Sequence, residues 1–277
     1  MKKLILLIAL VLSFSHHTVR AQRLLELPNK AYGIFSAQVT EAGSDGYLYQ
    51  YTITNADSSE QVLHVFRISI ADPSYYIENK GVSGPQAKKW YIDALSEGYI
   101  SGSAASRYTN FPSDNGLALG ESMEISFPSK GVPAIMTFYT KGFIKPLTMV
   151  VFDSLKAAGH TDEEIFLPWQ EEYFQGTTIT PKVWPEETTI LNFADTLSSY
   201  LTRSCDELGW IPNQGICRSL AAKLENVQRQ LERGNTSPAR GSLQAFLNEV
   251  EAQKDKQLSS EAWALLWFNG QYLLERL

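Results

Sequence analysis

Ile216-Cys217-Arg218-Ser219-Leu220-Ala221-Ala222-Lys223-Leu224-Glu225-Asn226-Val227-Gln228-Arg229-Gln230-Leu231 places an aliphatic residue every three or four positions, at Ile216, Leu220, Leu224, Val227 and Leu231. That spacing gathers the apolar side chains on one face of a helix. Gly234-Asn235 ends it as a C-cap. Ser237-Pro238 then opens a second helix with Pro at its first position, and its stripe is Leu243, Phe246, Leu247 and Val250. Ser259-Ser260-Glu261 starts another, which carries Leu265, Leu266, Leu273 and Leu277. Upstream, Phe193, Leu197, Tyr200, Leu201 and Leu208 fall at helical intervals before Gly209-Trp210-Ile211-Pro212-Asn213 breaks the pattern. Residues 191–277 therefore predict an antiparallel helical bundle.

Cys205 and Cys217 face each other across that break, and they are the chain's two cysteines. In an oxidising compartment the pair favours a disulfide clamping the first helical turn-around. The alternative is a pair of metal-binding thiolates, a weak site without a nearby His.

The first half of the chain has a different period. Tyr47, Tyr49, Tyr51 and Ile53 alternate with polar residues, and Val62, Phe66, Ile68 and Ile70 share another alternating face. β-branched and aromatic residues at a period of two predict strands. The polar cluster Asn55-Ala56-Asp57-Ser58-Ser59-Glu60 between them predicts an antiparallel hairpin, and Asp45-Gly46 a tight turn before Tyr47. Further strands are expected at Ile34–Thr40, Gly116–Leu119, Ser122–Phe127, Ile135–Thr140 and Leu147–Phe152, with one more around Trp90. Residues 22–152 thus predict an antiparallel β-sandwich, Ig-like in strand number and spacing. Residues 153–190, with Pro168, Pro181, Pro185 and the acidic pairs Glu163-Glu164, Glu171-Glu172 and Glu186-Glu187, predict a connector between domains. The fold class expected is α+β and multidomain.

The runs Leu220-Ala221-Ala222-Lys223-Leu224, Leu231-Glu232-Arg233-Gly234-Asn235, Leu243-Gln244-Ala245-Phe246-Leu247-Asn248-Glu249-Val250-Glu251-Ala252 and Leu258-Ser259-Ser260-Glu261-Ala262 resemble the FIMAH helical module of bacterial secreted and surface proteins. The family's Phe-Ile-Asn core stands here as Phe246-Leu247-Asn248, and Asp255-Lys256 replaces the Gly-Lys that usually follows. The resemblance covers about a quarter of the chain. It implies extracellular deployment and carries no catalytic residue. The β-rich half is not assigned to a family.

The N-terminus fits that deployment. Met1-Lys2-Lys3 precedes an apolar run from Leu4 to Phe14, and Val19-Arg20-Ala21 suits a signal-peptidase cut after Ala21. Residues 1–21 are therefore expected to be a cleaved secretory signal, and the mature chain to be secreted, periplasmic or on the cell surface. The alternative, an uncleaved anchor, needs a longer apolar run. No Cys near the cut supports a lipid anchor, and no membrane insertion is expected after cleavage. The net charge is −6, and removing Lys2, Lys3 and Arg20 makes the mature chain more acidic still. Such a chain, without basic runs, is a poor partner for nucleic acid.

No catalytic constellation stands out. His64 shares a strand face with Phe66 and reads as a half-buried strand residue; His160 sits in a turn with Asp162. There is no Gly-x-Ser-x-Gly elbow, His-Glu-x-x-His pair or phosphate-binding glycine loop. Ser101-Gly102-Ser103 reads as a loop, and Asp57-Ser58-Ser59-Glu60 is too short for a calcium loop. Glu163-Glu164 and Glu171-Glu172 read as solvated charge rather than a hydrolase pair. No cofactor or metal is expected.

The surplus is aromatic. Tyr75, Tyr76, Trp90, Tyr91 and Tyr99 are candidate ligand-binding aromatics of the β half, against the alternative that they fill its core. Trp263 and Trp267 lie on the last helix, whose apolar arc either packs within the chain or offers a partner surface. The expected function is an exported, non-catalytic structural or interaction protein with a protein or glycan partner. The second reading is a carbohydrate-binding module.

Overall fold

The computed structural model describes residues 29–70, 81–83, 90–95, 98–104, 116–143, 149–165 and 173–277. The expected signal, residues 1–21, and the candidates Tyr75 and Tyr76 lie outside the described residues.

Alternation builds the first half. In β1 (Gly33–Glu41) Phe35, Ala37 and Val39 turn inward, and Ile34, Ser36 and Gln38 outward. In β2 (Tyr47–Asn55) Tyr49, Tyr51 and Ile53 are buried. The two form an antiparallel hairpin closed at Gly46, whose φ of 85° lies in the left-handed region. A Cβ there would also sit 2.6 Å from the Ser129 carbonyl oxygen, so the turn requires glycine twice over.

The other strands are β3 (Leu63–Ser69), β4 (Gly81–Ser83), β5 (Tyr91–Leu95), β6 (Tyr99–Ser103), β7 (Ser122–Ser129), β8 (Val132–Gly142) and β9 (Phe174–Lys182). They make a four-stranded sheet, β1-β2-β7-β4, and a five-stranded sheet, β5-β6-β3-β8-β9. All the pairings are antiparallel. Phe35, Tyr51, Phe66, Ile68 and Phe138 meet between the sheets in one core. The Tyr51 hydroxyl donates 3.0 Å to the Ile179 carbonyl, tying one sheet to the other. With β1-β2-β7 facing β3-β8-β9, the order matches an immunoglobulin-like sandwich.

Several local expectations change. β2 and β3 are not a hairpin: they belong to opposite sheets. Each has a large apolar face, and the two faces meet across the core rather than side by side. The Asn55 side chain fixes the crossing by donating 2.9 Å to the carbonyls of both Gln61 and Leu117. Leu117, expected within a strand, makes an isolated bridge to Leu63. Where one strand was expected around Trp90, β5 and β6 form a hairpin.

Residues 149–152, read as strand, open the helix α1 (Met149–Ala157). Only Leu155 of that helix is buried, and Gly159 ends it, with the His160 N–H reaching the Leu155 carbonyl. Within the segment expected as a connector, β9 pairs with β8 from Phe174 to Lys182. Its one buried aliphatic residue, Ile179, was too little to signal a strand. Pro181 fits because β9 lies at the edge of its sheet.

The remaining helices are α2 (Ile190–Asp206), α3 (Gln214–Glu232), α4 (Thr236–Ala252) and α5 (Ser260–Arg276). Side-chain caps start three of them: Thr189 accepts from the Asn192 N–H, Asn213 from Gly215 and Ser259 from Ala262. Gly234, with φ of 73°, closes α3 as expected, its N–H reaching Leu231 and that of Asn235 reaching Gln230. α4 begins two residues before the expected start, at Thr236. Pro238 is then its third residue, still within the turn that has no intrahelical N–H partner. Leu197, Leu220, Leu224, Leu243, Phe246 and Leu266 share the bundle core.

α5 serves both cores. Ala264, Leu265 and Phe268 belong to the core between the sheets, whereas Ala262, Leu266 and Leu273 belong to the bundle. Glu261, 6 % exposed, accepts the Ala37 N–H of β1 at 2.7 Å. β1 is an edge strand, so this carboxylate occupies one of its outward donors. Eight residues on, the Asn269 amide donates 2.7 Å to the Pro133 carbonyl of β8.

Candidate functional site

Strand period decides what the five-stranded sheet shows to its outer side. Trp90 precedes β5 and is 7 % exposed, its ring 5.7 Å from that of Phe66 in the core. The next residue, Tyr91, points the other way and is 51 % exposed. Of the sequence candidates, Trp90 is thus placed in the core, Tyr91 and Tyr99 on the strands β5 and β6.

Register assembles the rest of the face. Arg67 of β3 lies opposite Ser101 of β6 on one side and Tyr139 of β8 on the other, and Tyr139 lies opposite Gln175 of β9. Tyr139 is flanked edge-on by Tyr99 at 5.8 Å and Tyr173 at 6.3 Å, the angles between ring planes being 77° and 88°. The Arg67 guanidinium lies 4.8 Å over the Tyr173 ring, and the Lys141 ammonium 5.1 Å from its centre. Ser101 and Ser103, expected in a loop, are strand residues of β6. Gly102 between them faces inward, where a Cβ would meet the Phe66 ring at 2.1 Å. The face is therefore a row of tyrosines and hydroxyls around a guanidinium.

Sequence reading missed Arg67, Tyr139 and Tyr173. The signal was present for two of them: Arg67 alternates with buried Phe66 and Ile68, and Tyr139 follows buried Phe138. Tyr173 precedes a strand that was not anticipated.

The other candidates have structural settings. Trp263 and Trp267 are half-buried at the seam of the two cores and stack at 6.1 Å. The Trp263 indole N–H donates 2.9 Å to Glu251, and the Lys254 ammonium lies 3.6 Å over its ring. Cys205 and Cys217 form a disulfide between α2 and α3, with α-carbons 6.1 Å apart.

The His64 ring is buried 5.2 Å from Phe143, and burial lowers its pKa, favouring the neutral imidazole. The exposed Glu164 forms a capping box with Thr161: the Thr161 N–H donates 2.9 Å to it, and its own N–H donates to the Thr161 hydroxyl. The hydrogen bond from the Thr161 N–H holds the Glu164 carboxyl below the usual range. Glu171 and Glu172 lie outside the described residues. Among the described residues, no group of three or more His, Cys, Asp or Glu is arranged to hold a metal ion. Among them, too, no helix is long and apolar enough to cross a membrane.

The family model of the FIMAH domain matches residues 195–275, from α2 into α5. The match bears out the resemblance read from Leu220 to Ala262 and points to a non-catalytic surface or structural module. No curated protein matches the chain. The FIMAH match and the disulfide fit an extracellular or surface protein.

Proposed function

We propose that the chain is an exported, non-catalytic interaction protein of the cell envelope or extracellular space, and that its outer five-stranded face binds the partner. The observation that carries this reading is the row Tyr99, Tyr139 and Tyr173 around Arg67, which neither core uses. Half-buried aromatic rings and a guanidinium on a rigid sheet are the groups that recur where a surface binds. The FIMAH match supports deployment outside the cytoplasm, and the cleaved signal expected at residues 1–21 supplies the route.

A glycan is the partner class favoured within this reading. The face combines rings with Ser101, Ser103 and Gln175, and among the described residues the large exposed side chains Ile34, Leu119, Met149 and Val150 lie elsewhere. Tyrosine faces suit the C–H surface of a sugar, and hydroxyls and amides suit its edge.

The test is titration of the chain with a panel of polysaccharides, alongside an assay for released reducing ends. Binding without turnover, weakened by Tyr139→Ala or Tyr99→Ala, supports the proposal. Turnover, or binding indifferent to both substitutions, overturns it. Export is checked on the protein recovered from cell fractions, whose mass is expected to begin at Gln22.

A further inference from the structure

We infer that the glycan taken by this face carries carboxylates, as a polyuronate does; the inference rests on the face being the binding surface. Arg67 occupies the middle strand of the sheet, with Ser101 and Tyr139 as its direct cross-strand neighbours and Tyr173 beneath its guanidinium. A guanidinium lying over an aromatic ring is restrained in position, and its planar fork can match a carboxylate through two parallel hydrogen bonds. A neutral sugar can accept a hydrogen bond from the guanidinium but brings no opposite charge to match it.

The surroundings select the same class. The chain as a whole is acidic, with a net charge of −6, whereas this face sets two cations, Arg67 and Lys141, against one ring. A polyanion would meet these cations directly, and its charge is what they can pair with. Five strands at about 4.8 Å spacing span about 19 Å, room for several sugar units. Arginine and tyrosine also recur at protein interfaces, which is why an acidic polypeptide belongs in the test.

The experiment is isothermal titration of the intact chain with polygalacturonate, with the same polymer fully methyl-esterified, and with polyglutamate. Expected is binding to polygalacturonate that weakens as salt rises. Esterification removes the charge but keeps the sugar backbone, and is expected to lower affinity about tenfold or more. Arg67→Gln is expected to lose a similar factor, and Arg67→Lys to recover part of it. The comparison of the two polymers on the unaltered chain stands even if Arg67→Gln does not fold.

Equal binding of both polymers, lost on Tyr139→Ala, overturns the carboxylate requirement and leaves the face as the glycan site. Binding of polyglutamate alone overturns the inference in favour of an acidic peptide. Binding to none of these or to any other glycan overturns both the inference and the glycan reading.

Discussion

Reducing the Cys205–Cys217 disulfide is expected to weaken the chain by an amount the structure allows to be worked out. The bond closes a loop with a sequence separation of 12 between the end of α2 and the start of α3. Opening it releases chain entropy to the unfolded state, and the loop-closure relation for that length gives about 3 kcal/mol. The folded state loses little, because the break at Gly209–Asn213 is held independently. The Ile211 N–H donates to the Ser204 carbonyl, and Ser259 N–H to Trp210. The assay is urea unfolding of the same protein with and without reductant, followed by circular dichroism. With a slope of about 3 kcal/mol per molar urea, the midpoint should fall by about 1 M. A fall below about 0.3 M, with the slope unchanged, would refute the reasoning. It would mean that the unfolded chain already holds the α2–α3 turn without the bond.

Other predictions follow from the cores. Glu261→Ala leaves the Ala37 N–H of β1 buried without its acceptor and should cost about 1–3 kcal/mol, with Glu261→Gln retaining much of it; urea unfolding separates the two. Gly102→Ala forces a methyl into the fully buried Phe66 ring and should cost about 1–3 kcal/mol, read as a lowered Tm. Burial pushes Tyr200 up to about 12 and also raises Tyr49 and Tyr51. Unfolded tyrosines ionise near pH 10, so the unfolded state releases protons first and stability should fall as pH rises above about 10. Stability that stayed level from pH 9 to about 12 in urea titrations would contradict this. His64 acts at the other end: its lowered pKa means that the unfolded imidazole is protonated first, so stability should decline as pH drops below about 6.5, and His64→Phe should flatten that slope.

Where one physical signal dominated, the sequence was legible. β1 and β2 bury every second residue, and that is visible as text. The helices announced themselves by stripes and caps, Ser259 and Gly234 among them. What escaped depended on tertiary placement. A polar link such as Asn55 to Glu60 reads the same whether it joins neighbours in one sheet or crosses between two; the difference lies in which faces meet. β9 is stabilised by nine residues of pairing with β8 and close approach of Phe138 to Gly176, not by its own apolar content. The site failed for a related reason. Trp90 and Tyr91 look alike as aromatic text, yet one parity step puts the first in the core and the second outside. Arg67 and Tyr139 become neighbours only through the register of β3 with β8.

The sharing of α5 between two cores sets a timetable for folding. The bond from Ala37 to Glu261 spans 224 residues, so the sandwich's first strand leaves the ribosome long before its helical partner. Until that partner arrives, β1 keeps an open edge and the sheets lack Ala264, Leu265 and Phe268. Contacts of such separation slow the final step of folding. Such a delay would suit the export proposed above, in which a chain crosses the membrane unfolded. The β half stays incomplete while the chain emerges, and locks only after the residues that close both cores have followed it out of the ribosome.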